Sequence, residues 1–296
     1  MYMNNHKSLV SLCIALRPEQ WIKNLFLFLP LVFGKQLFNF PTNLQSCIAF
    51  FLFSLTASAI YLLNDIFDIE KDKAHPVKKT RPLAAGHITT RQAFISALAL
   101  GLFSLILAFI LNPYFALVLV IYIILNVLYS IFLKNIVIID VFCIATFFLL
   151  RIAAGGIIAQ VEISQWIVLM TALLALFLGF NKRRQELSTV QTDSNESRTV
   201  LSHYNTYFID QMIAVITSSI VVVYMLYTID SNTIMRFETK QLIYTIPFVY
   251  YGIFRYLYQI HKIQSDGEPT TILLSDKTMQ INLILWIAVC VFVIYF

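Results

Sequence analysis

The sequence predicts an all-α membrane protein with about nine transmembrane helices. Hydrophobic residues make up 59% of its 296 residues and charged residues only 12%, whereas soluble domains carry about 25% charged residues. Apolar runs of about 20 residues, the length that crosses a bilayer, recur from end to end. The Lys and Arg residues also cluster between alternate runs. These three features argue against a soluble helical protein.

The predicted spans are separated by turn-forming residues, including Pro41, Asn112-Pro113 and Asp266-Gly267. Because no linker or low-complexity stretch divides the chain, we treat residues 1–296 as a single transmembrane domain. The four cysteines lie far apart and show neither metal-ligand spacing nor a disulfide pattern. The nine spans are predicted at residues 20–39, 44–64, 91–111, 114–133, 136–157, 163–181, 209–229, 240–258 and 278–296.

The distribution of basic residues predicts the orientation. With nine spans, nearly all Lys and Arg residues fall on the same side as the N-terminus, and only Lys35, Arg236 and Lys240 fall on the other. Cytoplasmic loops carry such an excess. We therefore predict a cytoplasmic N-terminus and a C-terminus on the outside. The net charge of +5 follows from this rule and does not indicate a nucleic-acid partner.

An acidic motif stands out at the predicted cytoplasmic end of the second span. It comprises Asn64, Asp65, Asp68 and Asp72, and on one continuous helix its three carboxylates share a stripe about 80° wide. Carboxylates so arranged repel one another unless a cation lies between them. Hard oxygen ligands suit Mg²⁺, which typically also binds substrate phosphates. The sequence therefore predicts a Mg²⁺–diphosphate site, with a solvated acidic helix end as the alternative.

Basic residues accompany this motif at two places. Lys78 and Arg81 follow it in the next loop, where Arg81 is suited to grip a phosphate in a bidentate manner. Lys182, Arg183 and Arg184 end the sixth span on the same side. The second group is either a site for an anionic substrate or an ordinary cytoplasmic anchor.

Two charges lie within the fifth span. Asp140 and Arg151 are separated by about 16 Å along a helix, so they are not expected to pair with each other. Charges at membrane depth need partners on other helices or water. We read them as either structural or cavity-lining.

The motif Asn64-Asp65-x-x-Asp68-x-x-x-Asp72 resembles that of the UbiA superfamily of intramembrane prenyltransferases. The superfamily usually carries a second aspartate motif near its sixth and seventh spans. This chain instead has Asn181-Lys182-Arg183-Arg184-Gln185-Glu186 there. That departure argues against the superfamily's usual transfer of a prenyl group to an aromatic acceptor.

Further segments resemble one branch of this superfamily, which transfers 5-phosphoribose from phosphoribosyl diphosphate (PRPP) to a polyprenyl phosphate of the decaprenyl type. They are Arg17 to Asn24, Tyr129-Ser130 with Lys134, Leu150 to Gly156, Ser164 to Trp166, and Lys182 to Leu187.

The resemblance implies a UbiA-like bundle with a polar cavity facing the cytoplasm, in the bacterial inner membrane. It also implies Mg²⁺ dependence, release of diphosphate, and PRPP, polyprenyl phosphate and membrane lipids as partners. A homo-oligomer is compatible with the sequence. The expected catalytic and metal-binding residues are Asn64, Asp65, Asp68 and Asp72. The expected substrate-binding residues are Lys23, Lys78, Arg81, Tyr129, Lys134, Arg151, Lys182, Arg183, Arg184 and Glu186.

Two other functions fit parts of the pattern. A prenyltransferase would use a prenyl diphosphate and a small or aromatic acceptor at the same acidic motif. A transporter with a Mg²⁺ or phosphate site is disfavoured, because the charges gather at one membrane face and not at the midplane, where transporter sites usually lie.

Overall fold

The computed structural model describes residues 10–74, 77–190, 204–262 and 274–296. Within these ranges the regular structure is helical and contains no strand, which confirms the all-α class. The α-helices used below are α1 (Leu29–Phe33), α2 (Phe40–Phe67), α3 (Ile69–Ala74), α4 (Thr90–Leu111), α5 (Pro113–Ile131), α6 (Ile139–Ala159), α7 (Gln165–Val190), α8 (Thr206–Ile229), α9 (Ser231–Phe237), α10 (Ile246–Lys262) and α11 (Lys277–Tyr295).

Shorter helical segments join them. Residues 10–15 form a helical stretch at the start of the described chain. The 3-10 segments are Pro18–Phe28, Lys78–Thr80, Leu133–Asn135 and Gln241–Thr245.

Seven helices of the described chain are long and apolar enough to cross a membrane, and they match seven of the predicted spans. Many of their large apolar side chains point outward, as a bilayer requires; Phe109 and Ile110 are 64% and 73% exposed. The chain is therefore an integral membrane protein. The seven are α2, α4, α5, α6, the Gln165–Leu187 part of α7, α8 and α11.

The other two predicted spans are interrupted helices. The predicted span 20–39 is the 3-10 segment Pro18–Phe28 followed by the five-residue α1. The predicted span 240–258 is the 3-10 segment Gln241–Thr245 followed by α10, which has 17 residues. A proline stands in the first turn of each α-helical part, Pro30 and Pro247, where its missing N–H is tolerated but a helix arriving from upstream is broken. The count of nine spans stays a prediction.

The acidic motif also departs from the single helix expected for it. Helix α2 ends at Phe67, and Asp68 is its C-cap, with φ −103° and ψ 12°. Helix α3 then carries Asp72. The Asp68 and Asp72 amides still donate to the carbonyls four residues earlier, at 2.9 and 2.8 Å. The bend at Asp68 therefore alters the direction of the chain while keeping the helical hydrogen bonds.

Helix α6 lies between two cores. Ala154 and Ile158 join a cluster around Phe53 and Phe115, and Val141 joins a second cluster on α7, α8 and α10. Gly155 allows the Pro18–Phe28 segment to approach α6 closely, because a Cβ at this position would lie 2.0 Å from the carbonyl oxygen of Leu27. This contact places Lys23 and Asn24 beside the middle of the bundle.

Candidate active site

The acidic motif meets two arginines from distant parts of the chain. Asp65 is 3% exposed, and its Oδ1 is contacted by Nη2 of Arg17. Arg81 Nη1 lies 3.4 Å from the same oxygen and 2.5 Å from Oδ2 of Asp72. Arg81 thereby bridges the carboxylate at the end of α2 and the carboxylate of α3. The predicted residues Asp65, Asp72 and Arg81 are thus brought together.

The rest of the motif is bound to the end of α5. Lys134 Nζ donates to Asp68 Oδ1 at 3.0 Å, and the Ser130 hydroxyl donates to Asn64 Oδ1 at 2.6 Å. Asp68 is more open than Asp65, with its side chain 31% exposed. The two hydrogen bonds join sequence positions 66 residues apart.

The donor set suits a hard divalent cation. Asp65, Asp68 and Asp72 supply carboxylate oxygens, the ligand type that Mg²⁺ prefers. The Oδ2 atom of Asp65 is buried and accepts no hydrogen bond, which leaves a ligand oxygen available. Across the described residues, however, no three His, Cys, Asp or Glu side chains converge on one point. Each of the three carboxylates is neutralised by a side-chain cation instead.

Lys23 lies at an apolar cavity of about 360 Å³. Among the described residues it is the one formally charged side chain in the lining of this cavity, and its Nζ donates to Gln20 Oε1 at 2.5 Å. Aromatic residues from several helices supply much of the wall: Phe148, Trp166, Phe177, Tyr224, Tyr256 and Trp286.

Arg151 is buried, 3% exposed, on α6. Its Nε donates to Asn24 Oδ1 at 2.8 Å, and its Nη groups donate to the Phe147 carbonyl at 2.7 Å and the Tyr122 hydroxyl at 3.2 Å. Its guanidinium carbon also lies 5.1 Å from the ring centroid of Phe53. As expected, its partners include residues on other helices. These contacts hold the Pro18–Phe28 segment, through Asn24, against the bundle.

Asp140 likewise finds its partners outside α6. Arg183 Nε lies 3.0 Å from Asp140 Oδ2, and the two side chains are 1% and 0% exposed. The Tyr204 hydroxyl donates to Asp140 Oδ1 at 2.8 Å and accepts the amide hydrogen of Ile138 at 2.7 Å. Burial raises the pKa of Tyr204, so this phenol remains a neutral donor.

The second basic group is therefore partly engaged within the protein. Arg183 contacts Glu186 as well as Asp140. Arg184 Nε lies 2.5 Å from Asp210 Oδ1 on α8. Lys182, the residue before them, is half-buried. The sequence shows where these charges fall along α7, but not which of them already face carboxylates.

The remaining predicted residues lie near the motif or beside α6. Tyr129 is half-buried, and its ring meets Phe147 edge-on with centroids 5.8 Å apart. Lys78 is half-buried at the start of the Lys78–Thr80 segment. Arg17 was not expected in the site, although it opens the segment Arg17 to Asn24; its only sequence signal is its place in that segment.

Comparison with known proteins agrees with these features. The UbiA prenyltransferase family matches residues 25–284. Decaprenyl-phosphate phosphoribosyltransferase from Mycolicibacterium smegmatis is 34% identical over 302 residues, which covers 98% of this chain and 94% of the relative. The protein of the same name from Corynebacterium glutamicum is 35% identical over 286 residues, covering 95% of this chain and 86% of the relative.

A solved structure shares the fold. A UbiA homologue from Archaeoglobus fulgidus, bound to GPP and Mg²⁺, superposes with a TM-score of 0.69 at 20% identity. The match covers 97% of this chain and all of that one. Together with the family match and the relatives above, it leads to one conclusion: this chain belongs to the UbiA prenyltransferase family.

Proposed function

We propose that this chain transfers 5-phosphoribose from PRPP to a polyprenyl phosphate of the decaprenyl type and releases diphosphate. The observation that carries the proposal is the interleaving of acidic and basic side chains at the end of α2. Asp65, Asp68 and Asp72 lie against Arg81 and Lys134. The relatives named decaprenyl-phosphate phosphoribosyltransferase, 34% and 35% identical over nearly the whole chain, support the choice of substrates.

The carboxylates are proposed to hold Mg²⁺ on the diphosphate. The A. fulgidus homologue was solved with Mg²⁺ bound, and the donors of Asp65, Asp68 and Asp72 are of the type this ion prefers. When bound, Mg²⁺ neutralises charge on the departing diphosphate. Asn64 is held by Ser130 and orients this end of α2.

The basic residues then orient the anionic groups of the two substrates. PRPP carries a 5-phosphate besides its diphosphate, and the lipid brings a third anionic group. Arg81 and Lys134 contact the acidic motif, Lys78 lies in the segment that follows it, and all three are assigned to PRPP. Lys182, on α7, is also assigned to PRPP. Arg183, Arg184 and Glu186 form the ion pairs described above and position the end of α7.

The acceptor needs no strong general base. A phosphate monoester loses its second proton with a pKa of about 6, so its oxygen is already ionised near neutral pH. As the anomeric bond breaks, positive charge develops on the ribose, as in other glycosyl transfers. Catalysis therefore rests on positioning and on electrostatic stabilisation of the leaving group.

The apolar cavity is proposed to receive the lipid. Lys23 is placed to bind the lipid phosphate, because among the described residues it is the one charged side chain in a mostly apolar and aromatic lining. A volume of about 360 Å³ is at the lower end for ligand pockets, about 300–1,000 Å³. Only the isoprene units nearest the phosphate enter it, and the rest of the chain lies in the bilayer. Arg151 supports this arrangement through its hydrogen bond to Asn24, the neighbour of Lys23, and Tyr129 is assigned to substrate binding at the end of α5.

We further propose that residues 1–296 form one domain in the bacterial inner membrane, with the site and the N-terminus facing the cytoplasm. The excess of Lys and Arg on that side supports the orientation. A water-soluble, highly charged donor such as PRPP also requires a site open to the aqueous phase.

One alternative is prenyl transfer. The A. fulgidus homologue binds GPP, and the apolar cavity offers room for a prenyl chain. The two reactions differ in donor and acceptor, so purified protein with Mg²⁺ should be given either ribose-labelled PRPP with polyprenyl phosphate or labelled geranyl diphosphate with small aromatic acceptors. We expect organic-soluble product from PRPP only. Turnover of geranyl diphosphate with none of PRPP would replace the proposal with the alternative.

A further inference from the structure

Three carboxylates of the acidic motif face three cations that arrive from three separate segments. Arg17 lies just before the Pro18–Phe28 segment, Arg81 follows Lys78–Thr80, and Lys134 lies in Leu133–Asn135. Each cation contacts one or two of the motif's carboxylates. The motif is therefore neutralised by the protein itself in this structure.

Arg17 holds an unusual backbone conformation to make its contact. Its φ and ψ are 52° and 60°, in the left-handed region that disfavours residues other than Gly, Asn and Asp. Hydrogen bonds fix the chain on either side: the Ser58 hydroxyl donates to the Leu16 carbonyl at 2.7 Å, and Trp21 Nε1 donates to Ser58 Oγ at 3.0 Å. Non-glycine residues in this conformation cluster at functional sites.

The side chain of Arg17 is also held in place by contacts with α2. Its guanidinium carbon lies 5.3 Å from the ring centroid of Tyr61 on α2. Its Nη2 contacts Oδ1 of Asp65, the oxygen that Arg81 also approaches. The Arg17 side chain nevertheless remains 20% exposed, whereas the Asp65 side chain is 3% exposed.

Arg17 and a divalent cation compete for the negative charge of the same carboxylate, Arg17 at Oδ1 of Asp65 and the cation at the unpartnered Oδ2. If the cation binds alone, Arg17 loses its counter-ion and stays as a positive charge beside a metal. If diphosphate binds alone, it meets carboxylates of like charge. When both bind, Asp65 has the metal and Arg17 has the diphosphate. Each ligand therefore binds more tightly when the other is present, which is positive coupling between the divalent cation and the diphosphate.

We propose that Arg17 is a diphosphate-binding residue that exchanges Asp65 for the diphosphate when metal and substrate load together. The inference rests on the proposed function only in that the donor carries a diphosphate. It adds to the site a residue outside the acidic motif and outside its basic loop. Because Arg17 gains a new anionic partner only when both ligands are present, the site disfavours metal without substrate.

Binding measurements on the purified full chain test this directly. The variants are Arg17→Gln and, as a matched control, Lys73→Gln, which removes an exposed cation paired with Glu70 at 2.9 Å in the same region. Calorimetry measures Mn²⁺ binding without phosphate, and separately the binding of inorganic diphosphate at saturating Mg²⁺. We expect Arg17→Gln to bind Mn²⁺ alone more tightly and diphosphate about tenfold more weakly, within the usual range of coupling. Lys73→Gln should match the wild type in both.

Opposite shifts support the exchange, since a merely structural role of Arg17 would weaken both ligands together. Parallel weakening, or no change in either, overturns it. If Arg17→Gln does not fold, Arg17→Lys decides: it keeps the charge but loses the planar fork, so weaker diphosphate binding supports the proposal and unchanged binding contradicts it. The transfer assay reports separately on the proposed function, because these binding shifts require no PRPP or lipid.

Discussion

Arg183 of α7 and Asp140 of α6 form an ion pair closed off from solvent, with Nε 3.0 Å from Oδ2 and both side chains at most 1% exposed. The pair joins the start of one transmembrane helix to the end of the next. Removing one member of a buried ion pair costs about 3–5 kcal/mol, and without Asp140 the buried Arg183 keeps, among the described carboxylates, only Glu186, whose side chain is 27% exposed. We therefore expect Asp140→Ala to lower the stability of the protein strongly, measured by thermal or denaturant unfolding in detergent.

The neighbouring pair provides a matched control. Asp210 faces Arg184 at 2.5 Å, but its side chain is 45% exposed. Exposed ion pairs contribute about 0–1 kcal/mol, so Asp210→Ala should change stability little. The double variant Asp140→Ala with Arg183→Leu should recover much of the loss, because no charge is left buried. Equal effects of Asp140→Ala and Asp210→Ala would refute a structural role for the Arg183 pair.

The acidic motif should be essential for turnover without being essential for folding. We expect Asp65→Asn and Asp68→Asn to lower activity by more than about a hundredfold, since altering even the outer partners of a metal site costs about 10–100-fold. Activity is measured as transfer of label to lipid, and folding by gel filtration and unfolding temperature. Glu70→Gln is the control, because the Glu70 side chain is 79% exposed and pairs with the exposed Lys73 at 2.9 Å. Retained activity in Asp65→Asn would remove the metal assignment.

A larger side chain in the apolar cavity should raise the KM for the lipid substrate and leave the KM for PRPP unchanged. Thr171 is 3% exposed and lines the cavity, so Thr171→Trp occupies space assigned to the polyprenyl chain. We expect the KM for polyprenyl phosphate to rise about tenfold, equivalent to about 1.4 kcal/mol of binding. The KM for PRPP should stay near the wild-type value.

Leu169→Trp is the control for this experiment. Leu169 lies on the same helix but is 46% exposed, so the larger ring faces lipid. If the two variants leave lipid use equally intact, the cavity does not hold the acceptor. If Thr171→Trp instead weakens PRPP binding, the cavity belongs to the donor.

A carboxylate at the start of α11 should make stability depend on acid pH. Asp276 accepts hydrogen bonds from Arg255 Nε at 2.7 Å and from Gln259 at 2.5 Å. These contacts, Arg255 foremost, lower the pKa of Asp276 from 3.8 to about 2. A carboxyl group whose pKa is lowered by folding stabilises the protein above its unfolded pKa and loses that contribution as pH falls through the folded value.

We therefore expect Asp276→Asn to lower the unfolding temperature at pH 6. The difference from the wild type should hold down to about pH 4 and shrink as the pH falls toward about 2. The measurement is a set of paired melting curves across this range. A difference that is constant throughout would show that the charge of Asp276 does not stabilise the contact between α10 and α11.

The sequence predicts the class of the protein and most of its helices because both depend on local information. A run of about 20 apolar residues identifies a span wherever it lies, and seven such runs became helices. The interruptions in the other two spans were not predicted, because the apolar run continues across Pro30 and Pro247 whereas the regular pattern of backbone hydrogen bonds does not. Amino-acid composition reports how apolar a segment is, but not whether its helical hydrogen bonds continue.

The acidic motif was predictable for the same reason, since its spacing is local. The basic residues that contact the motif were less predictable. Arg17 and Lys134 reach Asp65 and Asp68 across 48 and 66 residues of chain, distances that no spacing argument covers. Arg183 shows the converse problem: its charge predicts an anionic substrate as its partner, and in the structure it faces Asp140 of the protein itself.

The most direct test of the account is the stoichiometry of the reaction. Purified protein in detergent or nanodiscs is given Mg²⁺, polyprenyl phosphate and PRPP labelled in the ribose, and both lipid-borne label and released diphosphate are counted over time. We predict one diphosphate per phosphoribosyl lipid, with neither formed when Mg²⁺ or the lipid is omitted. Diphosphate release without label in the lipid, or no release at all from active preparations, would contradict phosphoribosyl transfer as the function of this site.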